Sequence, residues 1–178
     1  MLHKISPSTL IVAFALIIAQ GQIANAQSVP FEASGADAGF DPGIPGEGLG
    51  HYKGQGTGTH LGKHQITGDL TYVGDFFPTP DVFFSGTFEG TQTTTAANGD
   101  TLELDVIGTV VLDFDATTGL ASGTWLPNFT ITNGTGRFAN ATGSSTGVAV
   151  NPPFDPFTDP IWPFDWSMTG EIDLGKKK

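Results

Sequence analysis

The stretch VFFSGTFEGTQTTTAANGDTLELDVIGTVVLDF, from Val82 to Phe114, decides the fold class of this chain. On each side of Asn98, apolar and polar residues alternate with a period of two, which is typical of a strand with one buried face. Asn98-Gly99 is a strong hairpin signal, because both residues accept the positive φ angles of a type I′ turn. The stretch therefore predicts two long antiparallel strands joined by a tight turn.

The same alternation continues on both sides of this hairpin. It predicts five further strands, at Tyr52–His60, His64–Val73, Leu120–Thr132, Ser144–Val150 and Phe164–Leu174, and a weaker one at Val29–Ser34. Glycines recur on the inner face at positions 54, 56, 58, 86, 90, 108 and 170, as strongly coiled strands require. Closure removes exposed strand edges, so we predict an all-β fold, an antiparallel closed barrel of about eight strands, with no substantial helix after the N-terminal segment.

The chain divides into four segments. Residues 1–26 have the features of a signal peptide: Lys4, an apolar run at Leu10–Ala19, and Ala24-Asn25-Ala26 as the cleavage site. Residues 27–50 form a Gly/Pro-rich N-terminal arm, 51–175 the barrel domain, and 176–178 a basic tail, while the prolines of Asn151–Pro163 predict a loop inside the domain. A secreted or periplasmic location follows, and the 152 residues left after removing 26 of 178 suffice for one domain.

Charge and composition exclude several classes of function. Loss of Lys4 with the signal changes the formal net charge from −11 to −12, which argues against nucleic acid as a partner. The chain has no cysteine, so disulfides and thiolate nucleophiles are excluded. The apolar run of the signal is too short to span a bilayer, which needs about 20 residues, so we expect no membrane insertion.

The stretch TNGTGRFANATG, from Thr132 to Gly143, contains the only arginine, Arg137. Its glycines and asparagines predict a sharp turn between two late strands. A lone permanent cation in an acidic protein favours either of two roles. Arg137 would bind a carboxylate or phosphate ligand, or it would form an ion pair that pins the turn to a neighbouring strand.

Three motifs carry a resemblance to a known group: GTGTHLGKH at Gly56–His64, TAANGDTL at Thr95–Leu102, and NGTGRFANATG at Asn133–Gly143. They resemble exported, mostly uncharacterised bacterial proteins of the allene oxide cyclase-like barrel group, which is distantly similar to plant dirigent proteins. The likeness runs from about Tyr52 to Leu174. It implies an eight-stranded antiparallel barrel, often with a cavity at one end, but it places no catalytic residue on this chain.

The acidic residues of the confident strands all fall on the polar face: Asp69, Glu89, Glu103, Asp105, Asp113, Asp165, Glu171 and Asp173. An acid–base pair inside a barrel needs carboxylates that face inward, so this pattern argues against a hydrolase. His60 and His64 flank the Leu61–Lys63 turn, but two histidines are too few for a closed zinc site. We predict no metal and no cofactor, and assign both histidines to the rim.

The leading hypothesis is a non-enzymatic barrel that binds a small, largely apolar molecule. Its predicted interior is lined by Phe84, Phe88, Leu104, Trp125, Trp166 and Met168. A barrel of this size is sometimes filled by such side chains, which would make it a structural or partner-binding module. The alternative is an isomerase or cyclase acting by steric guidance, with Tyr72, His60 or Asn128 as polar candidates.

Overall fold

The computed structural model describes residues 28–43 and 48–175. The predicted signal peptide and basic tail lie outside these residues. The strands are β1 Val29–Asp41, β2 Leu49–Gly58, β3 Gly62–Thr79, β4 Val82–Ala96, β5 Thr101–Asp115, β6 Leu120–Gly134, β7 Thr142–Phe154 and β8 Trp162–Asp173, and a single turn of 3-10 helix spans Gly136–Phe138. Within the described residues this turn is the only helix, as predicted.

The eight strands form a closed antiparallel barrel in which each strand pairs with its neighbours in the chain and β1 pairs with β8. The predicted barrel is confirmed. The hairpin between β4 and β5 is also present, but its turn is not of type I′. Only Gly99 has a positive φ, of 87°, and its N–H donates to the carbonyl of Ala96 at 2.9 Å, so the loop has three residues and ends on a left-handed glycine.

The core is the inside of the barrel, and alternation along each strand fills it. On β5, Leu102, Leu104, Val106, Val110 and Leu112 are all buried, with Gly108 among them on the same face. Gly108 makes room for an aromatic ring, because a Cβ there would stand 2.5 Å from Cζ of Phe88. At other inward positions, such as Gly90 and Gly170, a Cβ would instead collide with the backbone of the adjacent strand.

The predicted N-terminal arm is largely wrong, because residues 29–41 form a full strand that closes the barrel. The partners of β1 shift by one residue on both sides, between Ser34 and Gly39 against β2 and between Gly35 and Ala38 against β8. This is a β-bulge, which inserts one extra residue. Odd-numbered residues face the interior before it and even-numbered residues face the interior after it. Phe31 and Phe40 are both buried although they are an odd number of residues apart, so the period-two pattern predicted only the first part of the strand, Val29–Ser34.

The predicted loop at 151–163 is shorter than expected, because β7 continues through Pro152 and Pro153 to Phe154. The pairing of β7 with β6 shifts by one residue between Asn151 and Phe154, so the two exposed prolines lie in a second bulge. A bulge at the end of a strand tolerates residues that have no N–H to donate.

The two ends of the barrel differ in chemistry. At one end, which we call the arginine end, the turns at 59–61, 97–100 and 135–141 meet over fully buried Phe138. At the other, the aromatic end, the rings of Phe76, Phe77, Phe83, Phe114 and Phe157 form a network with centroid distances of 5.4–6.4 Å. Phe157 is 65% exposed, so this cluster also presents an apolar surface to solvent.

Candidate functional site

A cavity of about 60 Å³ lies inside the barrel. Its lining is mostly aromatic and aliphatic, and the inward-facing side chains that line it include Phe40, Ile66, Leu70, Phe88, Val106, Trp125, Phe129, Phe164, Trp166 and Met168. Four of the residues predicted for the interior, Phe88, Trp125, Trp166 and Met168, line this cavity, while Phe84 and Leu104 are buried elsewhere in the core. Side chains fill most of the barrel, and the remaining space is small.

Two polar side chains reach into this apolar cavity. The hydroxyl of Tyr52 donates to Oε1 of Gln92 at 2.9 Å, and Nε2 of Gln92 donates to Oγ1 of Thr94 at 3.0 Å. Burial, with a smaller effect from the charge of Asp69, raises the pKa of Tyr52, so the phenol stays protonated. Sequence reasoning missed this pair, although Tyr52 shares its parity with inward Gly54 and Gln92 shares its parity with Phe88.

The cavity also reaches the wall between β6 and β7. Pro127, Val148 and Ser167 contribute to its lining, and the last two face outward. The β6–β7 register passes through Trp125↔Ala149 and resumes at Asn128↔Thr146, on either side of Pro127, which has no N–H for the ladder. The β6–β7 ladder is therefore interrupted at Pro127.

Trp125 is fixed by a buried hydrogen bond. Its Nε1 donates to Oδ1 of Asn151 at 2.6 Å, and Nδ2 of Asn151 donates to the carbonyl of Pro163 at 2.7 Å. The indole ring packs between Phe40 and Phe88, with centroid distances of 5.1 and 5.2 Å. This network holds one side of the cavity in place.

His64 and Trp166 are a contrasting pair. Their rings meet edge-on with centroids 5.7 Å apart, and within the described residues neither Nε2 of His64 nor Nε1 of Trp166 has a hydrogen-bond partner. Nδ1 of His64 lies 3.1 Å from the carbonyl of Gly62. Burial lowers the pKa of His64, more than this hydrogen bond raises it, so the imidazole is neutral near pH 7.

A solvent-open cleft of about 650 Å³ lies beside His64, at the bulge of β1. Its lining is mostly small and polar and consists of Ser34, Gly35, Ala36, Gln55, Gly56, Thr57, Lys63, His64 and Asp165. The N–H of Asp37, a residue with φ 55°, donates to Oδ1 of Asp165 at 3.1 Å and so holds the bulge to β8. The cleft and the interior cavity are separated chiefly by the indole of Trp166, which lines the cavity.

Arg137 contacts its own end of the barrel and no part of the cavity lining. Its Nε lies 3.6 Å from Oδ2 of Asp100, and its Nη2 donates to the carbonyl of Leu61 at 3.3 Å. The guanidinium carbon also lies 4.9 Å from the ring centroid of Phe138. These contacts tie three turns together and favour the second of the two predicted roles, an ion pair that pins the turn.

The remaining polar candidates do not converge. Asn128 is exposed on the outer face, opposite Ile107 and Thr146, so it cannot touch a guest in the interior. His60 is exposed in the β2–β3 turn with φ 60°, and its Nε2 lies 3.2 Å from the carbonyl of Pro30, whereas His64 is buried. The two histidines predicted for the rim are thus in different environments, and only His60 is a rim residue.

Tyr72 lies half-buried near the aromatic end. Its hydroxyl donates to the carbonyl of Pro42 at 2.9 Å, and its ring packs edge-on against Phe84 with centroids 5.6 Å apart. Burial raises its pKa. The hydroxyl is therefore occupied in closing the barrel end.

The outward placement predicted for the strand carboxylates is confirmed. Seven of the eight are exposed, and Asp173 is partly exposed. Among them Asp69 contacts Nδ1 of His51 on the outer surface. Within residues 28–43 and 48–175, no group of three or more His, Cys, Asp or Glu side chains is arranged to hold a metal ion.

Comparisons with known proteins give no relative. No family model, no curated protein and no solved structure matches the chain. The resemblance to the allene oxide cyclase-like group stays a prediction. No helix among the described residues has the length and apolar character needed to cross a membrane.

Proposed function

We propose that this protein is a non-catalytic binding barrel for a small, largely apolar molecule. The observation that carries the proposal is the interior cavity, whose apolar lining is interrupted by the Tyr52–Gln92 pair and approached through the wall at Pro127. Apolar cavities with a few convergent polar groups are the usual form of small-molecule sites.

The size of the cavity limits the ligand. Sites for drug-sized molecules measure about 300–1,000 Å³, whereas this cavity is about 60 Å³. The space accepts a few heavy atoms, such as the end of an alkyl chain, and the rest of a longer ligand would lie outside the wall beside Val148 and Ser167. A cavity of this size gives little support to the cyclase alternative. In addition, two of its polar candidates, Asn128 and His60, face solvent rather than the cavity.

Xenon and short alkanes are suitable probes of this proposal, because small apolar cavities bind both without polar contacts. We expect saturable xenon-induced changes in the methyl NMR signals of Met168 and Val106. The variant Ala149→Leu, which fills the cavity from inside β7, should abolish them, while Thr146→Leu on the outer face of the same strand should not. Absence of xenon binding in the wild-type protein would refute the proposal.

A second candidate function is docking of an apolar partner at the aromatic end. Phe76, Phe77 and Phe157 are 44–65% exposed there; Phe77 stacks on Phe157, and Phe76 and Phe77 both contact Phe83. Exposed apolar patches of this kind commonly mark interaction sites. Phe157→Ser should then abolish capture of a partner without altering xenon binding in the cavity.

A further inference from the structure

The bulge of β1 covers two side-chain nitrogen atoms that have no hydrogen-bond partner among the described residues. They are Nε2 of His64 and Nε1 of Trp166, in side chains that are 4% and 7% exposed. An unpaired polar group in the interior costs about 1–3 kcal/mol, so two of them side by side require an explanation.

The chemistry of the two atoms is complementary. An indole N–H can only donate a hydrogen bond. The carbonyl of Gly62 can only accept, so Nδ1 of His64 carries the proton of the neutral ring, and Nε2 of His64 is an acceptor. The site therefore offers one donor and one acceptor, from rings whose centroids are 5.7 Å apart.

A hydroxyl satisfies both atoms, whether it belongs to a water molecule or to a ligand, since its O–H donates to Nε2 and its oxygen accepts from the indole. A carboxylate only accepts and an ammonium only donates, so each would leave one of the two nitrogens unpaired. We propose that His64 and Trp166 form a recognition site for the hydroxyl group of a neutral small molecule.

The hydroxyl site is reached through the bulge of β1, a route separate from the wall at Pro127 that leads to the interior cavity. A Cβ at Gly35 would stand 2.6 Å from Nε1 of Trp166, and one at Gly56 would stand 2.7 Å from its Cζ2, so the backbone of these two glycines lies against the indole. The ladders of β1 shift against both neighbours at this point. Segments with disturbed ladders open locally at lower free energy than the rest of a sheet.

The site rests on the proposed function and adds to it, because Trp166 also lines the interior cavity. A ligand would place its apolar part against the inner face of the indole and its hydroxyl on Nε1 and on His64. The sequence indicates His64 and Trp166 each as candidate ligand-binding residues, but their pairing depends on three strands and on the bulge.

The indole N–H signals of the three tryptophans provide the test. In a ¹H–¹⁵N spectrum of the whole protein titrated with 1-propanol, we expect a saturable downfield shift of the Trp166 indole signal and a shift of Nε2 of His64. Trp125 is an internal control, because its N–H is already bonded to Asn151. 1-Chloropropane has a similar shape but cannot donate, and we expect it to bind at least tenfold more weakly, about 1.4 kcal/mol.

His64→Leu should reduce the affinity for 1-propanol to that for 1-chloropropane. Equal affinity of the wild-type protein for the two probes would overturn the hydroxyl site while leaving the apolar cavity intact. A water held on both nitrogens that 1-propanol does not displace would also overturn it. The comparison between probes needs no variant, so it decides the matter even if His64→Leu fails to fold.

Discussion

Two parts of the barrel wall, the β4–β5 pair and β1 with its two neighbours, both alternate apolar and polar residues. The hydrogen-bond ladder is continuous in the first and interrupted in the second. From Phe84↔Leu112 to Thr95↔Thr101 the β4–β5 register runs without a shift, whereas β1 carries one extra residue against both of its neighbours. The continuous wall packs the fully buried Leu102 and Leu112. The interrupted wall covers the unpaired nitrogens of His64 and Trp166. We infer that the first supplies stability and the second supplies access.

The largest expected effect comes from crowding the continuous wall. Gly108→Val places a branched side chain against Phe88 and the carbonyl of Leu126, each 2.5 Å from the position of its Cβ. Overpacking of this kind costs about 1–3 kcal/mol, and contact with backbone on one side puts this case at about 3 or more. Urea unfolding followed by tryptophan fluorescence measures the loss.

Thr109→Val is the matched control, since the neighbouring residue faces solvent and should change stability by no more than about 0.5 kcal/mol. If Gly108→Val were as stable as the wild-type protein, the side chains around Gly108 would be able to move aside. The β4–β5 wall would then not be the tightly packed, stabilising part of the barrel.

Hydrogen exchange compares the two walls without a mutation. We expect the amides of Leu104 and Val106 to exchange only on global unfolding, and the amide of Asp37, in the bulge, to exchange through a local opening that costs at least about 3 kcal/mol less. Native-state exchange in low concentrations of denaturant separates the two classes. Equal protection of Asp37 and Leu104 would contradict the access route through β1.

A smaller loss of stability is expected from removing the contacts that join the turns at the arginine end. Arg137 links the β4–β5 turn, through Asp100, to the β2–β3 turn, through the carbonyl of Leu61. Because the Arg137 side chain is 39% exposed, solvent screens the pair, and Arg137→Ala should cost about 1 kcal/mol.

Arg137→Lys should recover part of this loss, and added salt should reduce the difference between the wild-type protein and Arg137→Ala. The measurement is again the free energy of unfolding in urea. A fully stable Arg137→Ala would point away from a structural ion pair and back to a ligand site.

The smallest effect is a pH dependence that arises beneath the bulge. Burial lowers the pKa of His64 in the folded protein, so below about pH 6.5 the unfolded chain binds more protons than the folded one. Stability should therefore fall as the pH decreases from about 6.5 towards the folded-state pKa of His64. His64→Gln should flatten the curve in that window when thermal unfolding is followed between pH 7 and pH 5.

Asp115 and Asp155 act in a different window. Hydrogen bonds from Thr117 and Thr118 lower the pKa of Asp115, and those from Thr158 and Phe157 lower that of Asp155. Their contribution to the free energy of unfolding is present above pH 3.8, the ordinary pKa of an aspartate, and is lost as the pH falls below it.

For His64 the deciding region is about pH 5 to 6.5. A stability profile with no step in that region would show that His64 is not held neutral by burial.

The continuous β4–β5 wall was predicted well from the sequence. Its period-two alternation is unbroken, and the turn lies at Asn98-Gly99 as expected. Most of β1 was missed, because one inserted residue puts Phe31 and Phe40 out of phase. The aromatic interior followed from parity, as Trp125 and Trp166 show. The unpaired state of Trp166 Nε1 could not be predicted, since it depends on where the bulge of β1 lies in space.

The pairing of β1 with β8 sets the order in which this molecule can be made. Val29 lies opposite Ile172, so the ring joins the first strand of the domain to the last. Until Trp162–Asp173 has been synthesised and freed, β1 has only β2 beside it. Contacts across such a sequence separation make folding slow, on a scale of about milliseconds to seconds. The finished barrel has no free edge, because β8 supplies the last partner of both β1 and β7.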